Sequence, residues 1–150
     1  MLARIRKAQQ DNDGGFTLIE LLVVMIIIGI LAAIAIPVFL SQRTKAQDSA
    51  AKADVSTIGK EIATYYVDGV GAPVLTQSTG GRYLIGTDDI GKSSKNVSLT
   101  LTLGAGVTGS FVSASKWCID VTNTEGSQKT FKYSAKGGLD NGLCATTDVA

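Results

Sequence analysis

A chain of 150 residues is long enough for one domain, and 45% hydrophobic residues is rich for a soluble domain of this size, with the excess concentrated in the first forty positions. Fourteen basic and thirteen acidic side chains leave the chain close to neutral, which argues against a generic nucleic-acid binder, because such a protein needs clustered Lys and Arg to displace phosphate counterions. Histidine is absent, so the commonest general base is missing. No Ser-Lys or cysteine constellation has supporting context, and the chain reads as no enzyme.

Residues 1–15 carry Arg4, Arg6 and Lys7, then Asp11 and Asp13, then Gly14-Gly15. They read as a polar, positively charged leader that stays on the cytoplasmic side of a membrane. From Leu21 to Leu40 there are twenty residues without a charge, about 30 Å of helix, which matches the hydrocarbon thickness of a bilayer. Glu20 stands at the threshold of this run, where an unpaired carboxylate is costly and needs a partner. An ordinary secretory signal has a shorter apolar core followed by a small-residue cleavage site; Phe39-Leu40-Ser41-Gln42-Arg43 offers none. The plain alternative is an uncleaved signal anchor. Within the run, Gly29 allows close helix packing and Pro37 allows a kink.

Beyond Leu40 the composition turns polar and the periodicity becomes amphipathic. Ala51, Val55, Ile58, Ile62 and Tyr65 share one helical face that should cover a sheet, with Lys52, Ser56, Lys60 and Thr64 opposite and Asp48-Lys52 spaced as an i, i+4 ion pair. The helix is expected from Phe16 to about Tyr66, stopped by Asp68-Gly69-Val70-Gly71-Ala72-Pro73. An all-apolar first half followed by an amphipathic second half should protrude from a globular head, with lipid or other subunits as its solvent.

The remainder reads as β-structure and turns. Residues 74–95 are expected to be a long loop with a short strand near Tyr83–Ile85. Val97 to Leu103 alternates strictly, as do Lys116–Val121 and Thr130–Tyr133, the pattern of antiparallel strands with one wet face. Trp117 alternates with Ile119 and Val121 and is expected in the core. Gly104-Ala105-Gly106-Val107-Thr108-Gly109 matches a dinucleotide-binding glycine pattern, but no helix opens after it, so it reads as a hairpin. Asp88-Asp89 and Asp140-Asn141-Gly142 could offer oxygen ligands to calcium and are read as turns. Asn96-Val97-Ser98 fits a glycosylation sequon short enough to arise by chance. Cys118 and Cys144, the only cysteines, are expected to pair, and the closed loop could contribute about 3 kcal/mol in the chain-entropy model. No metal or cofactor site is expected.

Gly15, Phe16 and Glu20, set in Gly-Phe-Thr-Leu-Ile-Glu-Leu-Leu-Val-Val ahead of the long apolar run, resemble the type IV pilin and pseudopilin family. The resemblance is specific from Gly15 to about Leu40 and general beyond. It implies an α+β, pilin-like fold: a leader over 1–15, a membrane and filament-core half-helix over 16–40, an amphipathic half-helix over 41–68, and a β-rich head over 74–150. It implies cleavage between Gly15 and Phe16 by a prepilin peptidase, which also methylates the new terminus at Phe16. It implies that Glu20 pairs with the amine of Phe16 in a neighbouring copy, and that the helix between Gly29 and Pro37 loosens on assembly. The cysteine pair resembles the disulfide that closes the C-terminal region of many pilins, and some pseudopilins bind calcium.

Removing the leader leaves eleven basic and eleven acidic side chains, a neutral subunit suited to packing against copies of itself. The function implied is a structural subunit of a type IV pilus. It would be held in the cytoplasmic membrane as a precursor, then built by an assembly machinery into a helical homopolymer on the cell surface. The alternatives are a pseudopilin or minor pilin of a secretion or DNA-uptake machine and, in another class, a monomeric membrane-anchored binding module.

Overall fold

The computed structural model describes residues 15–101 and 111–150. The leader up to Gly14, the end of the expected strand at Thr102-Leu103 and the Gly104–Gly109 hairpin lie outside these residues. The chain divides into two compact units, one ending at Leu40 and the other comprising Ser41–Ala150.

Helix α1 spans Leu18–Asp68, 51 residues with Pro37 inside. Its first part is rich in Val and Ile, which are mediocre helix formers in water because branching restricts their rotamers. In hydrocarbon the backbone has no alternative to internal hydrogen bonding, so the same residues form a helix there. The helix starts at Leu18, two positions later than expected, because Thr17 takes the capping position.

In the second unit the expected stripe is the buried face of α1: Ala51, Val55, Ile58 and Ile62 are inaccessible to solvent and Tyr65 packs partly against them. The helix ends where Gly69 donates its N–H to Tyr65 O at 2.7 Å. A Cβ at Gly69 would collide with that same carbonyl, at 2.6 Å, so glycine is required there. The expected Asp48-Lys52 ion pair is absent. Asp48 instead accepts the Gln128 N–H at 3.2 Å, and the Lys52 ammonium lies 5.2 Å from the centre of the Phe131 ring. A backbone donor held in place by the fold and an aromatic face replace a solvated surface pair, which is worth only a few tenths of a kcal/mol.

Residues 74–95 are not a long loop. They form a three-stranded antiparallel sheet of β1 (Leu75–Gln77), β2 (Arg82–Ile85) and β3 (Asp88–Lys92). Asp88 and Asp89 thus open a strand rather than a turn, and Asp89 pairs with Arg82. Of the strand expected at 97–103, the described residues form β4 (Val97–Leu99), and Leu101 takes a φ of +48° with its side chain buried in the core. Strands β5 (Phe111–Ser113), β6 (Lys116–Asn123), β7 (Thr130–Ser134) and β8 (Gly138–Asn141) complete a second antiparallel sheet. Its order is β4-β6-β7-β8, with β5 also paired to β6. Asp140 and Asn141 therefore lie in β8, not in a turn. The two sheets are stitched by Gln77, whose side-chain amide donates to Val97 O at 3.3 Å and accepts from Leu99 N–H at 2.8 Å, standing in for a missing ladder residue.

Strand β6 is buried on both faces. Trp117, Ile119 and Val121 join the cluster formed with α1, as their alternation required. Cys118 and Asp120, on the face expected to be wet, are also fully buried. The C-terminal segment covers them: Cys118 is bonded to Cys144 with a Cα–Cα distance of 5.9 Å, and Asp120 accepts the Cys144 N–H at 2.9 Å. The disulfide thus anchors a cover over the second face of a strand that its pairing already makes central.

Candidate assembly site at the start of the helix

The chemistry singled out in the sequence gathers at the first turn of α1. Thr17 and Glu20 form a reciprocal cap. One carboxylate oxygen of Glu20, Oε2, accepts the Thr17 N–H at 2.8 Å and the Thr17 hydroxyl at 2.6 Å, while the Glu20 N–H donates to Thr17 Oγ1 at 3.3 Å. The carboxylate also sits where it complements the positive end of the helix dipole. The sequence reading sought a partner for Glu20 only in another copy; its partner within the chain is Thr17. The signal was legible as Thr-x-x-Glu directly before an apolar run. Among the described residues, Glu20 makes no ion pair, and its second oxygen, Oε1, accepts no hydrogen bond.

Phe16 is 90% exposed and, with Ile19, Glu20, Val23 and Val24, lines an open groove of about 430 Å³. Phe16 and Glu20 therefore share one side of the first turn. Among the described residues, Gly15 has no atom within 4 Å of where a Cβ would lie, so none of them demands glycine there. The same is true of Gly29, whose missing side chain leaves a gap on the apolar surface rather than relieving an internal clash. Pro37 has no N–H, so the carbonyl of Ala33, four residues earlier, lacks its usual helical donor. Every large apolar side chain from Leu21 to Leu40 is exposed, and the helix is long and apolar enough to cross a membrane.

Residues 11–36 match the prokaryotic N-terminal methylation motif. The chain is 32% identical over 136 residues to the fimbrial protein of Pseudomonas aeruginosa, covering 73% of this chain and 86% of that one. It is 43% identical over 86 residues to the type IV major fimbrial protein FimA of Dichelobacter nodosus, 55% of this chain and 50% of the relative. To the type II secretion system core protein G of Pseudomonas aeruginosa it is 38% identical over 69 residues, covering 46% of this chain and 49% of that one. Apart from the fimbrial protein, the chain spans about half the length of these relatives. No solved structure is significantly similar. The chain belongs to the type IV pilin family.

Proposed function

We propose that the chain is the structural subunit of a type IV pilus. The observation that carries this reading is the apolar half of α1, whose exposed surface far exceeds the few hundred Å² that a soluble monomer tolerates. Two environments can cover it, a bilayer and a bundle of identical helices. The precursor sits in the cytoplasmic membrane with residues 1–15 inside. A prepilin peptidase removes them after Gly15, an exposed glycine that no internal contact requires, and methylates Phe16. The shortened chain then leaves the bilayer for the filament, through head-to-tail contacts that do not close.

Glu20 sets the register of that step. In a bundle of apolar helices water is scarce, and a carboxylate and an ammonium each cost several kcal/mol unless they meet. The cap leaves this open. Thr17 occupies Oε2 of Glu20, so Oε1 can accept the amine of Phe16 from a subunit already placed without breaking the first turn. Gly29 and Pro37 are the points where the helix can loosen as neighbours close around it. The experiment is to shear cells and sequence the amino terminus of the released fibre: methylated Phe16 in abundant filaments supports the reading, whereas Met1 confined to the membrane fraction sinks it.

A second reading, a pseudopilin of a type II secretion machine, is favoured by the similarity to core protein G. It predicts the same processed terminus but no abundant surface fibre under native expression.

A further inference from the structure

Asn141-Gly142 is the single Asn-Gly pair in the chain. In such a pair the glycine nitrogen, unshielded by a side chain, can attack the asparagine side-chain carbonyl carbon. The structure puts this pair on an edge. Asn141 is the last residue of β8, which among the described residues pairs only with β7, and it stands opposite Phe131. It is exposed, and among the described residues its side-chain amide makes no hydrogen bond. Gly142 has a φ of +97°, a conformation that asks for glycine, and a Cβ built there would meet no atom within 4 Å. One contact restrains the reaction: the Gly142 N–H donates to Thr130 O at 3.0 Å. The nucleophile is the deprotonated amide, so that hydrogen bond must open first.

We propose that Asn141 is a self-modifying site whose conversion to aspartate or isoaspartate is gated by opening of the β7–β8 edge. The Gly142 nitrogen loses its proton to hydroxide and bonds to Cγ of Asn141. The side-chain nitrogen leaves as ammonia and a five-membered succinimide closes. Water then opens either ring carbonyl, so the net change is amide plus water to acid plus ammonia, with no oxidant or reductant. Opening at one carbonyl gives aspartate. Opening at the other gives isoaspartate, whose main chain is longer by a methylene and can no longer match Phe131. A four-residue edge strand with three exposed residues belongs to the low-stability end of a fold, where local opening is frequent. Either product adds a carboxylate beside Asp140. The side chains of residues 16–150, which sum to zero, then carry one negative charge per copy. The inference rests on no part of the pilus reading.

The test uses full-length protein in detergent micelles at mildly alkaline pH, with a second sample unfolded in urea and its disulfide intact. Peptide mapping by mass spectrometry that separates aspartate from isoaspartate follows Asn141, and amide exchange follows Gly142. The expected result is conversion at Asn141 at least about tenfold slower in the folded sample, with a rate that tracks exchange of the Gly142 amide. Asn96 and Asn123, which glycine does not follow, should stay unconverted in both. Equal rates in folded and unfolded protein overturn the gate. No conversion in urea overturns the site.

Discussion

Helix and sheet meet closely at Gly59, and the contact yields a sign that helix propensity alone would get wrong. A Cβ at Gly59 would lie 2.6 Å from Cγ and 3.0 Å from Cε1 of Tyr133, and closer still to Cδ1. Ordinary contact begins at 3.4 Å, so the ring would have to retreat by about 1 Å to clear Cδ1. It has little freedom, since it stacks on Trp117 with ring centroids 5.9 Å apart and planes 10° from parallel, and Trp117 is only 2% exposed. Overpacking of this kind costs about 1–3 kcal/mol, and losing the stack adds about 0.5–1.5 kcal/mol. Against this, Ala in place of Gly in a helix interior gains about 1 kcal/mol. Gly59→Ala should therefore destabilise the head by about 0.5–3.5 kcal/mol, lowering Tm by roughly 4–8 °C for each kcal/mol in a domain of this size. The assay is thermal unfolding of a fragment beginning at Thr44, which keeps every helix residue that the sheet buries. In a Tyr133→Ala background the same substitution should become stabilising, because only the propensity gain survives. A higher Tm for Gly59→Ala in the otherwise native fragment, or no coupling between the two positions, refutes the reasoning.

Cys118→Ser should lower the Tm of the same fragment sharply, since losing a disulfide from a small domain costs about 2–5 kcal/mol and here also releases the segment that covers Asp120; an unchanged melting curve rules this out. Burial pushes the Asp148 carboxyl up, but the Ala145 N–H and the ammonium groups of Lys132 and Lys136 outweigh it and hold it below its ordinary value of 3.8. Because the folded value is the lower one, the contribution is complete above about pH 4 and lost as pH falls through the folded value. Asp148→Asn should accordingly leave a chain less stable at neutral pH whose stability falls less in acid, and a parallel offset at every pH would contradict it. Glu20→Val should leave the precursor inserted and cleaved yet unable to form fibres, because one charge of a buried pair is left uncompensated at about 3–5 kcal/mol; native fibre yield by shearing and electron microscopy would count against the pairing.

The helix and the central strands were legible because their signals are periodic and redundant. Ala51, Val55, Ile58 and Ile62 repeat one face four times over, and all four are buried. Trp117, Ile119 and Val121 do the same for β6. Of the small sheet over 74–95 only β2 was legible, as the short strand near Tyr83–Ile85; β1 and β3 were not, because their signals are short and polar. β1 has three residues, β3 carries Asp88, Asp89 and Gly91, and their pairing depends on turns at Gly81 and Gly86 whose φ values of +72° and +62° suit glycine. No alternation can develop over three residues, so composition outweighed pattern.

At Glu20 the sequence reading and the structure part for a different physical reason. A carboxylate at the edge of an apolar run raises the question of its partner, and the answer sought was a distant amine, because an ammonium supplies the largest compensation. The structure supplies a nearer one in Thr17, through two donors on one oxygen. Neutral donors do not cancel the charge; they orient it and lower the cost of holding it near hydrocarbon. The two partners are therefore not rivals. Thr17 can fix the carboxylate while the subunit waits in the membrane, and an ammonium can complete it in the fibre. Glu20→Gln separates the two roles, since the amide oxygen can still accept from Thr17 while the charge is gone. If orientation alone mattered, fibres would survive that change. If charge compensation drives assembly, fibre yield falls as it does for Glu20→Val, with the first turn of the helix intact.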